Sequence, residues 1–310
     1  MAARVRYDRL ATERANPRTR ALDRLDARAI ARLMNREDRT AVAAVGRVAP
    51  AIAAAVDRVV AALAAGGRLF FVGAGTSGRL GVLEAAECPP TFGTRPGMVQ
   101  AIMAGGRRAV FRSREGAEDD AGAAARAVRA RVRRDDVVVG VSASGVTPFV
   151  RSALVTAAAR GAGTILVACN PRSGREFVAG RPDRSTILVA PAPGPEVLAG
   201  STRLKAGTAT KLVLNTLTTA SMTRLGKVYR NRMVDLQPRS AKLRARAERL
   251  VAEIAAVPPA RARRALQQAR GHVRLAIVVA RRNLPPGAAA RALRAAGGSL
   301  RAVLERPAAR

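Results

Sequence analysis

The sequence is poor in the residues that bind metals, form disulfides and build aromatic cores. Its 310 residues include two cysteines, Cys88 and Cys169, one histidine, His272, and no tryptophan. Two distant cysteines make no disulfide framework, and these three soft ligands lack the spacing of a zinc site. We therefore expect a reduced, cytoplasmic protein with no metal and no cofactor. Because aromatic residues make up only 3%, its core must be built from Ala, Val and Leu.

Long hydrophobic runs are also missing. The first nineteen residues have no apolar core of the signal-peptide kind. No stretch approaches the ~20 consecutive apolar residues that cross a bilayer, and the Ala-rich run over residues 51–65 is broken by Asp57 and Arg58. We therefore expect a soluble protein with no membrane partner.

Acidic residues are scarce relative to basic ones. The chain has 55 Lys and Arg against 22 Asp and Glu, a formal net charge of +33. Such a charge could indicate a nucleic-acid partner. However, the basic residues are spread along the whole chain, and aromatic residues do not alternate with them as in RNA- and DNA-binding modules. We expect no specific nucleic-acid partner, although an anionic substrate would be attracted to this surface.

Short apolar runs alternate with helical patterns between residues 66 and 225. The predicted strands are Leu69–Val72, Met98–Met103, Val137–Val141, Thr164–Ala168 and Thr186–Val189. The predicted helices are one that ends at Cys88-Pro89-Pro90, then Ala117–Val132, Pro148–Arg160 and Lys205–Leu225. Strands alternating with helices predict an α/β fold, a doubly wound parallel sheet flanked by helices on both faces.

The two ends of the chain differ from this central pattern. Residues 1–40 suggest an irregular, helix-containing arm, and helical spacing of apolar residues from Val45 to Leu63 predicts one long helix before Gly66. Beyond residue 238 only short helical patterns occur, over Ala241–Ala256, Pro259–Ala269, Val273–Arg282 and Gly287–Leu304. We therefore predict two domains, a large α/β domain over 1–237 that includes the N-terminal arm, and a small all-helical domain over 238–310.

Two glycine loops rich in hydroxyl groups each follow a predicted strand and precede a predicted helix. They are Gly73–Gly78 (GAGTSG) and Ser142–Thr147 (SASGVT). Glycines allow a close backbone approach, and a helix N-terminus presents free N–H groups to an anion. Singly, each loop could be a capped turn, and GAGTSG nearly fits a dinucleotide fingerprint, although its acidic partner is not convincingly present. Together they predict a phosphate site formed by Gly75, Thr76, Ser77, Ser142, Ser144, Gly145 and Thr147.

The pattern Ser-x-Ser-Gly-x-Thr in the second loop resembles the sugar isomerase (SIS) fold, whose members bind phosphosugars. Longer segments resemble the N-acetylmuramic acid 6-phosphate etherases: LATERANP, NRED, GAGTSGRL, AECPPTFG, EGAEDD, CNP, GSTRLKAGTATK and GKVYRNRMVD. This resemblance covers nearly the whole chain. It implies cleavage of the lactyl ether of that sugar, and a homodimer with sites near the subunit interface. The chain departs from the family at Val146, where Arg is usual, and at Phe149, where Tyr is usual.

The resemblance also implies the catalytic residues. Glu87 matches the proton donor to the lactyl oxygen, and Glu118 the base at C2 of the ring-opened sugar. Glu87 is predicted near the C-terminal end of its helix, where the helix dipole disfavours a negative charge, which favours a functional role. Glu118 is predicted in the first turn of a helix, where acidic residues are common without any function. Further expected sugar contacts are Glu84, which replaces the usual Asp, and Glu196, Ser201, Thr202 and Lys205.

Two other functions remain open from the sequence. The first is a sugar-phosphate isomerase of the same fold, although such enzymes tend to open the sugar ring with a histidine and His272 lies in the helical C-terminal part. The second is a regulator that senses sugar phosphates without catalysis, since one fold supports many functions. The paired glutamates favour the etherase.

Overall fold

The computed structural model describes residues 8, 10–181, 185–236, 238 and 240–305. Its strands are β1 (Leu69–Gly73), β2 (Val99–Met103), β3 (Val137–Val141), β4 (Gly163–Val167), β5 (Ile187–Val189), β6 (Val228–Tyr229) and β7 (Arg232–Met233). The helices are α1 (Ala27–Gly46), α2 (Ala49–Ala64), α3 (Gly75–Phe92), α4 (Ala121–Arg131), α5 (Pro148–Ala159), α6 (Pro171–Ala179), α7 (Lys205–Arg224), α8 (Ala241–Ala255), α9 (Pro259–Gln268), α10 (Val273–Arg282), α11 (Pro286–Ala295) and α12 (Leu300–Glu305). No described helix is both long and apolar enough to span a bilayer.

Strands β1 to β5 form one sheet in the order β2-β1-β3-β4-β5, and every neighbouring pair is parallel. All five residues of β1 and of β3 are buried, as expected for central strands covered by helices on both faces. These observations confirm the predicted α/β class with a parallel sheet. The parallel arrangement brings the carboxyl ends of β1 and β3, and therefore the two glycine loops, to the same edge.

Close helix–strand packing explains two glycines in this layer. A Cβ on Gly81 of α3 would lie 2.7 Å from the Cβ of Phe71, and one on Gly140 of β3 would lie 2.8 Å from Leu154 of α5. Phe71 and Phe70 point to opposite faces because side chains alternate along a strand. Phe70 belongs to the cluster packed under α4 and α5. Helices therefore cover both faces of β1.

The chain divides by its internal contacts into two units, one formed by Met1–Ala86 with Gly97–Thr218 and the other by Glu87–Pro96 with Thr219–Arg310. The first unit holds the parallel sheet. The second holds α8 to α12, the β6–β7 hairpin and the end of α3. Its core is built around Val251, Ile277 and Leu300, which are at most 2% exposed. The boundary near residue 238 that we expected from the sequence stays a prediction.

Two predicted helices are each divided in two by residues that do not continue a helix. Helical spacing from residue 45 to 63 suggested one helix, but α1 ends at Gly46 and α2 begins at Ala49 with a proline in its first turn. Pro50 has no N–H to donate and would clash with the carbonyl of the preceding turn. The predicted helix over 287–304 is likewise split into α11 and α12, since Gly297 and Gly298 have φ values of +58° and +82°.

The helices that carry the predicted catalytic residues also differ from expectation. Helix α3 does not end at the Pro89-Pro90 pair but continues to Phe92. Helix α4 begins at Ala121 rather than Ala117, because the side chain of Asp120 caps it by accepting the N–H of Ala123 at 2.7 Å. No sequence pattern predicted α6 or the β6–β7 hairpin.

Candidate functional site

The first loop turns sharply from β1 into α3. A Cβ on Gly78 would lie 2.6 Å from the carbonyl oxygen of Gly73, and Gly75 has a φ of +53°. The glycine spacing is therefore required for this tight strand-to-helix turn, whether or not a nucleotide binds. The first turn of α3 contains no acidic residue, and Thr76 and Ser77 are only half-buried. Its free N–H groups and these hydroxyls form a site suited to an anion.

The second loop gathers three hydroxyl groups. Ser142 Oγ lies 2.8 Å from Thr147 Oγ1 and 3.2 Å from Ser144 Oγ, and Ser144 Oγ lies 3.5 Å from Thr147 Oγ1. Gly145 allows this arrangement with a φ of +74°, and its N–H donates to Ser142 Oγ at 3.0 Å. Each hydroxyl can donate one hydrogen bond and accept others. The cluster can therefore hydrogen-bond several oxygens of one phosphate.

The carbonyl oxygens of this loop are engaged by the protein itself. Ala143 O accepts the N–H of Cys169 at 2.9 Å, Ser144 O accepts the hydroxyl of Ser173 at 2.5 Å, and Gly145 O accepts Nε of Arg151 at 2.9 Å. A carbonyl oxygen directed at a phosphate would repel it. Because these three are held by protein donors, they are not the groups of this loop that would face a phosphate.

Glu118 lies directly beside the second loop. It belongs to the turn before α4 rather than to the helix itself, and its carbonyl accepts the N–H of Phe149 at 2.9 Å. Phe149 follows Thr147 by two residues and is buried in the core. This bond fixes the backbone of Glu118 against the first turn of α5, while its side chain is exposed to solvent.

Glu87 belongs to the second unit, and its side chain is exposed. It lies inside α3, because this helix continues through the proline pair. Neither Pro89 nor Pro90 can donate to the carbonyl four residues earlier, on Ala85 and Ala86. The helix around Glu87 therefore lacks two of its backbone hydrogen bonds. Glu87 lies further from the C-terminal end of α3 than expected, so the helix dipole disfavours its negative charge less than the sequence suggested.

Glu196 and Lys205 hold the first turn of α7. The carboxylate of Glu196, which is fully buried, accepts the N–H groups of Lys205 and Ala206 at 2.8 and 2.9 Å. Burial raises the pKa of Glu196 above its ordinary value, and these two N–H groups partly oppose the rise. Lys205 is also fully buried, with Nζ 2.8 Å from Oε2 of Glu37. Sugar contacts by Glu196 and Lys205 stay predictions.

Glu37 is the centre of a buried polar cluster that the sequence analysis did not identify. Its carboxylate accepts Nε of Arg18 at 2.5 Å, Nδ2 of Asn16 at 2.8 Å and Nζ of Lys205. The hydrogen bond from Arg18 is the main cause that lowers the pKa of Glu37 to about 2, and Lys205 and Asn16 lower it further against the effect of burial. The sequence signal for this cluster was the acidic pair Glu37-Asp38 in a helix whose other charged residues are basic.

Glu84 links α3 to α7 within the first unit. It is 5% exposed, and its carboxylate accepts Oγ1 of Thr218 at 2.8 Å and forms an ion pair with Lys211. Lys211 also donates to Oδ1 of Asn215 at 2.6 Å. These bonds give Glu84 a packing role, and its contact with the sugar stays a prediction.

The segment that contains Ser201 and Thr202 lies next to the first loop. A Cβ on Gly207 would lie 3.4 Å from the carbonyl of Thr202 and 3.8 Å from Cγ2 of Thr76. Ser201 and Thr202 are both half-buried. The structure thus brings the first loop and the start of α7 together. Sugar contacts by Ser201 and Thr202 stay predictions.

The other candidate ligand groups do not form a metal centre. Among the described residues, no group of three or more His, Cys, Asp or Glu side chains could hold a metal ion. Both cysteines are buried, and neither forms a disulfide. Burial raises the pKa of the Cys169 thiol to about 12, and its Sγ donates to the carbonyl of Ala206 at 3.5 Å. A thiol in this state is a poor nucleophile.

Comparison with known proteins identifies close relatives. The family model of the glucokinase regulatory protein N-terminal SIS domain matches residues 51–158. The N-acetylmuramic acid 6-phosphate etherase of Geobacillus thermodenitrificans is 49% identical over 88% of this chain and 90% of its own. That of Gloeobacter violaceus is 54% identical over 78% of each chain. A solved phosphoheptose isomerase from Francisella tularensis covers 66% of this chain and 98% of its own, with 20% identity and a TM-score of 0.49.

Proposed function

Since the chain belongs to the N-acetylmuramic acid 6-phosphate etherase family, we propose that it cleaves the lactyl ether of N-acetylmuramic acid 6-phosphate, releasing D-lactate and N-acetylglucosamine 6-phosphate. The observation that carries this function is the 49% identity over 88% of the chain to a relative of that name. The chain is then a lyase whose substrate is a phosphosugar. The hydroxyl-rich loops supply the type of site that this substrate requires.

The phosphate is held by Thr76 and Ser77 of the first loop and by Ser144 and Thr147 of the second, with backbone N–H groups of both loops. The mutual distances of 2.8 to 3.5 Å among Ser142, Ser144 and Thr147 support this assignment. Free N–H groups in the first turn of α3 add a partial positive charge. Val146, where the family usually has Arg, is 7% exposed and lies among these groups without adding a charge.

The reaction proceeds by elimination and then addition. An ether resists cleavage because an alkoxide is a poor leaving group, but opening the sugar to its aldehyde makes the proton on C2 acidic. A base removes that proton, the C2–C3 double bond forms, and the C3–O bond breaks as an acid protonates the lactyl oxygen. Water then adds its hydroxyl to C3 and a proton to C2. The scheme requires two carboxyl groups in different protonation states.

Glu118 is the base and Glu87 the acid in this scheme. The hydrogen bond between the Glu118 carbonyl and the Phe149 N–H supports the first role. It anchors Glu118 to Phe149, which follows the phosphate-binding Thr147 by two residues. For Glu87, the support is its position in the AECPPTFG motif shared with the family and its exposed side chain. In addition, Pro89 and Pro90 shortly after Glu87 have no N–H to donate, which is unusual inside a helix.

Replacing each glutamate separately tests these roles. Glu87→Gln cannot protonate the leaving lactate, so lactate release should fall, while the base still exchanges the C2 proton of N-acetylglucosamine 6-phosphate with solvent deuterium. Glu118→Gln should lose both reactions. A general acid or base typically contributes ~10²–10⁴-fold to the rate. An enzymatic lactate assay and NMR of the C2 proton in D₂O measure the two reactions.

Glu115→Gln is the matched control, because Glu115 is an exposed residue of the same turn as Glu118. It should keep both reactions. If Glu118→Gln exchanges the C2 proton and Glu87→Gln does not, the two roles are reversed. If both variants release lactate at nearly the wild-type rate, other residues carry out the elimination.

The same assay separates the two alternative functions. An isomerase would convert an aldose phosphate to a ketose phosphate without releasing lactate, and a sensor would bind N-acetylglucosamine 6-phosphate without either reaction. His272, the single histidine, precedes α10 in the second unit with an exposed side chain. The sugar isomerase hypothesis would have to assign ring opening to another residue.

Assembly and location are also part of this proposal. We expect a homodimer in the cytoplasm, with the enzyme acting in peptidoglycan recycling or in scavenging of muramic acid. The family resemblance supports the dimer, and the two reduced cysteines are consistent with a reducing compartment. Sedimentation of the purified protein would measure the assembly.

A further inference from the structure

Asn170 occupies a helix-capping position but does not cap its helix. It precedes Pro171 at the start of α6, and its side chain makes no capping hydrogen bond there. Asparagine is one of the preferred N-cap residues because its side-chain oxygen satisfies a free N–H of the first turn. Here that interaction is forgone, so the side-chain amide of Asn170 serves another purpose.

The amide of Asn170 joins two segments that are remote in sequence. Its Oδ1 accepts the N–H of Ala11 at 2.8 Å, and its Nδ2 donates to Oγ1 of Thr12 at 3.2 Å and to the carbonyl of Ala143 at 2.9 Å. Asn170 is 4% exposed and Thr12 is fully buried. Both amide hydrogens and the amide oxygen are therefore satisfied, and only this orientation of the amide matches all three partners.

Thr12 extends this connection to a third segment. Its carbonyl accepts the N–H of Gly200 at 2.9 Å, immediately before Ser201 and Thr202. Further bonds hold the arm, defined as residues 10–19, among them those from Thr19 Oγ1 to the carbonyl of Val197 at 2.8 Å and from Asn16 and Arg18 to Glu37. One buried threonine thus connects the second hydroxyl loop to the segment before α7.

We propose that Thr12 and Asn170 are positioning residues, which seat the N-terminal arm against Ala143 and thereby hold the hydroxyls of Ser142, Ser144 and Thr147 in place for the phosphate. This inference rests on the proposed phosphosugar site and assigns it a part of the chain outside the two glycine loops. Neither residue touches the substrate. They act because Ala143 lies between Ser142 and Ser144, and because Nδ2 of Asn170 holds its carbonyl together with the N–H of Cys169.

Thr12→Val is the central test, because valine keeps the shape of threonine but cannot accept the hydrogen bond of Asn170. Thr12→Ser restores the hydroxyl. Thr164→Val is the matched control, since Thr164 is fully buried at the opposite, amino end of the sheet, with its Oγ1 2.8 Å from Oγ1 of Thr186. Binding of N-acetylglucosamine 6-phosphate and of inorganic phosphate is measured by calorimetry, together with KM and kcat for lactate release.

Thr12→Val should weaken the binding of both ligands about tenfold, the usual effect of one misplaced hydrogen-bonding group. KM should rise with it, whereas Thr12→Ser stays within about twofold of wild type. Thr164→Val should lower the melting temperature without changing KM or the binding constants. A purely structural role of Thr12 would resemble this control, because partial unfolding lowers the amount of active enzyme and so the apparent kcat, not KM.

Asn170→Asp gives a second, stronger perturbation. It keeps the acceptor for Ala11 but places a carboxylate oxygen against the carbonyl of Ala143, so phosphate binding should weaken more than in Thr12→Val. If Thr12→Val binds both ligands as tightly as Thr164→Val does, the positioning role is wrong even when the wild type releases lactate. If the wild type releases no lactate, the proposed function fails, and phosphate binding by wild type and Thr12→Val still decides the positioning role.

Discussion

Replacing Glu37 with glutamine should destabilise the protein by an amount that depends strongly on pH. Glu37 is 1% exposed and accepts hydrogen bonds from Arg18, Asn16 and Lys205. Glutamine keeps the size of the side chain but removes the charge, which leaves the fully buried ammonium of Lys205 without its counter-ion. Removing one partner of a buried ion pair typically costs ~3–5 kcal/mol.

The lowered pKa gives a second measure of the same effect. The pKa of Glu37 falls from 4.5 to about 2, which at 1.36 kcal/mol per unit corresponds to roughly 3 kcal/mol. The side chain of Arg18 is 60% exposed, so solvent screens part of its contribution. We therefore expect Glu37→Gln to lower the free energy of unfolding by ~2–4 kcal/mol at pH 7.

The pH dependence follows from the sign of the shift. A carboxyl group whose pKa is lower in the folded state stabilises the fold above its unfolded pKa, and this stabilisation is lost as the pH falls through the folded pKa. The wild type should therefore lose this advantage progressively as the pH falls from 4.5 to about 2. Below that range both proteins carry an uncharged residue 37. Self-repulsion of the positive surface increases in the same range, but it affects both proteins equally and cancels in the difference.

Urea unfolding followed by circular dichroism measures the difference at several pH values, because the chain has no tryptophan for fluorescence. The control is Glu176→Gln, which breaks the exposed Arg172–Glu176 pair of 2.9 Å and should cost under ~0.5 kcal/mol. A difference below ~1 kcal/mol at pH 7, or one that stays constant down to pH 3, would refute the assigned role of the buried pair.

Three further expectations concern the site and its surroundings. Ser77→Ala and Ser144→Ala should each weaken binding of N-acetylglucosamine 6-phosphate by ~1–3 kcal/mol, the cost of a lost charged hydrogen bond; unchanged calorimetric affinity in both would move the phosphate elsewhere. Cys169 should resist alkylation at pH 8 in the native protein, because burial raises its pKa to about 12, and should react once the protein is unfolded; rapid native labelling detected by mass spectrometry would contradict this. Lactate release should survive chelator treatment, and activity that is lost and then restored by zinc or magnesium would show that the elimination scheme is incomplete.

Much of the candidate site could be predicted because its determinants are local. Apolar runs such as Val137–Val141 predicted buried strands, and a glycine loop after each of two strands predicted a candidate anion site. Parallel strands place such loops at one edge of the sheet, so their proximity followed from topology alone. The helix ends were predicted less well, since Pro50 and the Gly297-Gly298 pair break helices whose apolar spacing continues across them.

The amino-acid sequence by itself determined the fold class, the two hydroxyl loops and the family, because periodicity, turn residues and motifs are properties of short segments. Only the tertiary structure decided which buried polar groups meet. Lys205 reaches Glu37 across 168 residues of sequence, and Asn170 reaches Thr12 across 158. No local pattern encodes such pairs, because a buried charge or amide can be satisfied by any complementary group that the folded chain brings within hydrogen-bond distance. The packing of the arm, the sheet and α7 decides which buried polar groups become partners, and this packing exists only after the chain has folded.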